Sequence, residues 1–148
     1  LDVFVGKRPP GEHTGKLVKR DRLVWVGTEN TRIDRSRPLP LVVYPNPSLS
    51  RDAMRAALDR AGIAYRSACI CRGVNGLIAA VAAGVGISAM AASLVPLQLA
   101  ALGPRHKLPE LGHIDLVLLT NPRTEERPAV RALADAVLAA GPARLATA

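Results

Sequence analysis

The run Val74-Asn75-Gly76-Leu77-Ile78-Ala79-Ala80-Val81-Ala82-Ala83-Gly84-Val85-Gly86-Ile87-Ser88-Ala89-Met90 constrains the fold more than any other stretch of the chain. Its first half is a short apolar helix that turns Leu77, Ile78, Val81 and Ala82 inward, the stripe of a core-facing helix. Gly84 falls where a left-handed residue closes a helix, and Gly86 lets the next segment start close beneath it. That next segment, Ile87 to Met90, is a buried strand. A helix that returns through two glycines into a buried strand is a unit of an α/β sheet.

The remaining chain supplies the partners. Leu1 to Gly6 reads as a strand, Lys7 to Gly15 as a Pro-Gly loop, and Leu17 to Gly27 as a longer extended segment. Leu39-Pro40-Leu41-Val42-Val43-Tyr44 suits a buried parallel strand with Pro40 at its beginning or edge. A helix then runs to about Ala61, ended by Gly62, with Ala53, Met54, Ala57, Leu58 and Ala61 inward. Ser48 or Ser50 caps it and Asp52 complements its dipole. Ile63 to Cys71 is a strand, and Ala91 to Leu102 a short helix interrupted at Pro96. Leu108 to Gly112 is turn-rich, and His113 to Thr120 is a strand. Pro128 opens a last helix with the stripe Val130, Leu133, Ala134, Val137 and Leu138, stopped by Gly141 and followed by a frayed tail. The alternation predicts an α/β fold with a parallel or mixed sheet.

Composition narrows the function. The 148 residues suffice for one domain or two small lobes, and 49% hydrophobic content is that of a globular chain. A net charge of +8 invites a nucleic-acid partner, but Arg8, Arg20, Arg35, Arg51, Arg60, Arg72, Arg105, Arg123 and Arg131 are scattered, and aromatics make up only 3%. A solvated, arginine-rich surface is the reading adopted. The apolar stretch from Gly76 to Leu102 is broken by glycines, serines and Pro96, so no membrane span is expected. The opening Leu1-Asp2-Val3-Phe4-Val5 reads as a strand and not a signal peptide, and a soluble intracellular protein is the expectation. Cys69 and Cys71 point to one face of a strand and are expected as buried, reduced thiols. His13, His106 and His113 lack metal-ligand spacing, and no phosphate loop or nucleophile motif occurs. Neither a catalytic constellation nor a metal or cofactor is expected.

In open α/β sheets, ligands gather outside the carboxyl ends of the strands. Two such ends can be placed: Tyr44 followed by Asn46, Pro47 and Ser48, and Cys71 followed by Arg72, Gly73 and Asn75. Each loop leads into a helix whose first N–H groups and dipole favour an anion, and Arg72 can clamp a carboxylate. The plainer alternatives stand beside these. Ser48, Ser50 and Asn75 can be caps or turn formers, Tyr44 can close the core, and Arg72 can be a surface charge.

The Val81-Ala82-Ala83-Gly84-Val85-Gly86-Ile87 run resembles a motif of the effector-binding domain of LysR-type transcription regulators, which has the type 2 periplasmic-binding-protein fold. Leu39 to Pro45, its spacing to Gly84, and the strand at Ile114 before a Pro128-initiated helix are similar to the same pattern. The resemblance implies one complete Rossmann-like lobe, residues 22–107, and a partial first lobe, residues 1–21 and 108–148. It implies crossing strands at Lys16–Gly27 and Leu111–Thr120. It implies a cytoplasmic sensor and not an enzyme, in which a small-molecule effector, an organic anion, sits between lobes and alters their closure in a homo-oligomer. The family's winged helix-turn-helix and the opening of its first lobe are absent here, and the leading Leu1 suggests a fragment, so DNA would be reached only through segments missing from the chain. Many relatives carry Ser or Thr where Gly73 stands, which removes a hydroxyl contact. The alternative is a solute-binding protein or enzyme built on the same fold.

Overall fold

The computed structural model describes residues 1–143. In chain order the elements are β1 (Val3–Arg8), β2 (Lys16–Gly27), β3 (Leu39–Val43), α1 (Leu49–Arg60), β4 (Tyr65–Ile70), α2 (Val74–Ala82), β5 (Ser88–Ala91), β6 (Ala100–Ala101), β7 (His113–Thr120) and α3 (Pro128–Ala143). The chain divides into two units, Arg22–Gly112 and Leu1–Asp21 together with the chain from His113 on. Leu108–Gly112 therefore goes with the inner unit and not with the outer one. The reason is local: the Trp25 indole N–H donates to the Pro109 carbonyl at 2.7 Å, and the Leu23 N–H to the Gly112 carbonyl at 2.9 Å. Among the described residues no helix is long and apolar enough to cross a membrane.

In the inner unit β3 and β4 pair in parallel, from Leu39 opposite Tyr65 to Val43 opposite Ile70, with a register shift between Leu41 and Val42. The second half of β2 pairs antiparallel with β5 and with β6. β3 and β4 form a two-stranded parallel sheet of their own, and β2, β5 and β6 belong to a second sheet whose pairs here are antiparallel. Val26, Val42, Leu77, Val81, Met90 and Leu99 form one buried cluster. Helix α1 buries Met54, Ala57 and Leu58, while Ala61 is exposed. Helix α2 buries Leu77 and Val81 with Ile78 partly covered, and Ala82 is exposed, because the helix ends there and its last residue turns outward.

The glycine turn matches its physical reading closely. Val85 N–H donates to the Ala80 carbonyl and Gly84 N–H to the Val81 carbonyl, the paired bonds of a Schellman close, with Gly84 at φ 76°. A Cβ at Gly86 would lie 2.5 Å from the Pro40 carbonyl oxygen. That close approach is what lets Ile87 bridge β3: its N–H donates to Pro40 and its carbonyl accepts from Val42 N–H. The segment Ala91–Leu102 departs from expectation. Only Ala92–Leu94 makes a single 3₁₀ turn, and Ala100–Ala101 is a strand. Pro96 removes a helix donor, and pairing to Val26 and Gly27 outweighs the alanine content.

In the outer unit β1 pairs antiparallel with β7, Val3 opposite Thr120 through Arg8 opposite Asp115, so Lys7 and Arg8 are strand and not loop. Asp115 accepts from Arg8 Nη2 at 2.9 Å and from Arg20 Nε at 2.7 Å and Nη2 at 2.9 Å. The two guanidinium groups, Arg20 first, hold the Asp115 carboxyl far below the usual carboxylate range. Helix α3 continues through Gly141 where a stop was expected. The absent side chain serves packing: a Cβ at Gly141 would stand 2.6 Å from the Val18 carbonyl oxygen. Of the stripe, Val130 and Ala134 are buried and Leu133 is exposed. The tail expected after Gly141 starts within the helix and otherwise lies outside the described residues.

Candidate functional site

Parallel β3 and β4 end side by side, where Cys71 N–H donates to the Val43 carbonyl at 2.9 Å. The chain leaves that edge twice, once into α1 and once into α2, so both expected ligand loops open from the carboxyl edge of one strand pair. The two helix starts differ. Ser48 caps α1, its Oγ accepting from Arg51 N–H at 3.3 Å and lying 3.2 Å from the buried Ser50 hydroxyl. Gly73 caps α2 with extended backbone and no side-chain hydrogen bond. The first-turn amides of α2 therefore have no side-chain acceptor, and a helix N-terminus in that state attracts an anion.

Arg72, Gly73 and Asn75 are exposed at the α2 start, as are Asn46 and Pro47 in the other loop, while Tyr44 and Ser48 are half-buried. Burial pushes the Tyr44 phenol above its ordinary range, helped by the Cys71 thiol, so it remains a proton donor at neutral pH. Arg51, in sequence one of the scattered surface charges, also belongs here. Its Nη1 donates to the Tyr44 carbonyl at 3.3 Å, and its Nε is buried with no partner. A cation in the first turn opposes the helix dipole, and that mismatch is the signal by which sequence could have marked it.

Beneath the same edge, Cys69 and Cys71 are free, half-buried thiols with sulfurs 3.6 Å apart. They are less covered than the buried pair expected, because they pack on the margin of the Val26–Leu77 cluster, where β4 is open. Burial, then the hydrogen bond to Cys69, raises the Cys71 thiol above its ordinary value. Alkylation by iodoacetamide, followed residue by residue by mass spectrometry, is expected to show a Cys71 rate midpoint above about pH 8.5. A midpoint near neutrality would refute this account of the pair. No group of three or more His, Cys, Asp or Glu side chains forms a metal-binding cluster among the described residues.

Comparison with known proteins identifies the family and the fold. The family model described as LysR substrate binding domain matches residues 1–142. The HTH-type transcriptional regulator DgdR of Burkholderia cepacia is 33% identical over 118 residues, which is 80% of this chain and 40% of that protein. The chain thus spans about two fifths of that relative's length. Among solved structures, the regulatory domain of CcmR from Synechocystis in complex with 2-PG is similar at TM-score 0.64 and 16% identity, covering 95% of this chain and 73% of that one. The apo regulatory domain of HypT from Salmonella typhimurium is similar at TM-score 0.68 and 16% identity, covering 94% and 73%. The effector-binding domain of QuiR in complex with shikimate is similar at TM-score 0.62 and 17% identity, covering 95% and 71%.

Proposed function

The chain belongs to the LysR substrate-binding domain family, which makes it an effector-binding domain with the periplasmic-binding-like fold, and we propose that its effector is a small organic carboxylate held at the β3–β4 carboxyl edge. The family is regulatory and not enzymatic. The observation that carries the proposal is the uncapped α2 N-terminus beside exposed Arg72, at the same strand edge as Arg51 and the phenol of Tyr44. In this reading Arg72 and the Gly73–Asn75 backbone take the carboxylate, Tyr44 donates to or stacks on the remainder, and Asn46, Pro47 and Ser48 shape the opposite wall. Shikimate, bound by the QuiR domain, is itself a carboxylate. Effector binding would then bias the conformation of a cytoplasmic homo-oligomer whose DNA-binding element lies outside this chain.

Thermal-shift and calorimetric titration with small carboxylates, each against its neutral amide, tests this. At least one acid is expected to stabilise the chain where its amide does not, and Arg72→Gln to weaken that acid about tenfold or more. Equal stabilisation by acid and amide, or an Arg72→Gln variant that binds unchanged, would discard the carboxylate assignment.

A further inference from the structure

A separate concavity of about 350 Å³ lies in the inner unit, lined by Thr31, Arg32, Ile33, Arg35, Arg105, His106 and Lys107. We propose that it is a second ligand site, distinct from the β3–β4 edge, that takes a small oxyanion carrying two or more negative charges, with inorganic phosphate as its smallest occupant.

The charge is one-sided. Four of the lining residues are basic, Arg32, Arg35, Arg105 and Lys107, and none is acidic. Among the described residues these cations form no ion pair, and the two arginines that are held are held by main chain. Arg35 Nη2 donates to the Lys107 carbonyl at 2.5 Å, and Arg105 Nη2 to the Glu29 carbonyl at 3.1 Å. A backbone carbonyl orients a guanidinium without neutralising it, which leaves the remaining N–H donors fixed and the positive charge uncompensated. The loop's own carboxylate, Asp34, does not line the cavity: it accepts from the Ser36 hydroxyl at 2.6 Å and the Ser36 N–H at 2.9 Å, and its charge interacts with Arg37.

Two further features of the 3₁₀ turn at Pro104–His106 point the same way. Lys107 is the sole non-glycine residue with positive φ among the described residues, at 52°. A left-handed lysine is strained, and such strain collects at binding sites. It also turns the Lys107 carbonyl toward Arg35. His106 is 8% exposed; its Nδ1 donates to the Gly103 carbonyl at 3.2 Å and its Nε2 has no protein partner. A buried polar atom left unpaired at a basic cavity is the kind that a bound anion or its water satisfies. The cavity's size suits a small ligand, and like charges held together without a counter-ion are relieved most by a multivalent anion.

Calorimetric titration of the 148-residue chain with inorganic phosphate at constant ionic strength, with acetate as the monovalent control, tests the proposal. Saturable one-to-one binding of phosphate is expected, at least tenfold tighter than acetate. Arg35→Gln and Arg105→Gln variants, checked for unchanged melting temperature, are each expected to weaken phosphate about tenfold, and Arg66→Gln on β4 to leave it unchanged. Failure of the wild-type chain to bind phosphate overturns the proposal. So does loss of binding in Arg72→Gln but not in the Arg35 and Arg105 variants, which would assign the phosphate to the β3–β4 edge. So does an equal loss in Arg66→Gln, which would mean diffuse attraction. Preference for a DNA duplex that phosphate does not displace would also overturn it. The titration with carboxylates and amides reads the other site, so either result can fail alone.

Discussion

Gly86→Ala is expected to destabilise the protein by about 3 kcal/mol, measured by urea unfolding. The added methyl would meet the Pro40 carbonyl oxygen at 2.5 Å and its carbon at 2.9 Å, and both are backbone. A flexible side chain could swing aside. Here either Ile87 must leave β3, breaking its two hydrogen bonds to Pro40 and Val42, or β3 must shift against its core. Gly84→Ala is the control. It has open space around the Cβ but a φ of 76°, so it carries only the left-handed cost of about 1 kcal/mol. If Gly86→Ala costs no more than Gly84→Ala, close backbone approach is not what the second glycine provides.

Asp115→Asn is expected to cost about 2–3 kcal/mol at pH 7, with the effect confined to the outer unit. Asp115 joins Arg8 of β1 and Arg20 of β2, and the Arg8 side chain is 11% exposed, so the variant strands a charge with little water around it. Arg20 contributes most to lowering the carboxyl through its two bonds to Asp115, but it is largely solvated, so water screens what it adds to stability. The pH dependence has a definite sign. Because the folded carboxyl titrates below its unfolded value, its stabilisation is complete above the ordinary carboxylate range, near about pH 4, and is lost as pH falls below it. The gap between wild type and variant in hydrogen-exchange protection of β1 and β7 should therefore close in acid. A gap that stays constant down to acid pH would show that packing and not charge accounts for the loss.

The parts of the fold legible in the sequence are those with local causes. Gly84 and Gly62 each close a helix through two backbone bonds that need only a left-handed residue, and Ser48 caps through its own hydroxyl. The misreadings come from partners distant in the chain. Ala91–Leu102 looks helical because its alanines favour helix, but the pairing of Ala100 and Ala101 with β2 is invisible locally. Gly141 looks like a stop, yet its role is set by Val18, at the other end of the sequence. Strand β1 reads from its residues as ending at Gly6, before the Pro-Gly loop, while the register of Lys7 and Arg8 opposite Leu116 and Asp115 is what holds them in the strand. The candidate effector loops are legible because the rule for strand ends is topological. The basic cavity is not, since Arg32 and Arg35 stand far along the chain from Arg105 and Lys107. Scattered arginines give no periodic signal.

The division of the chain bears on the order in which it can fold. Arg22–Gly112 is one uninterrupted stretch whose two ends are stitched by the Leu23–Gly112 hydrogen bond. The unit around it is split, and β1 pairs with the distant β7, with Val3 opposite Thr120. On a ribosome the inner unit can therefore close as soon as Gly112 has emerged, while β1 waits with an unpaired edge until β7 arrives. Long-range strand pairing of this kind is slow, because the intervening loop must be closed before any contact rewards it. An already folded insert shortens that loop to the distance between its own two ends, so prompt folding of the inner unit is also what makes the outer one quick to form.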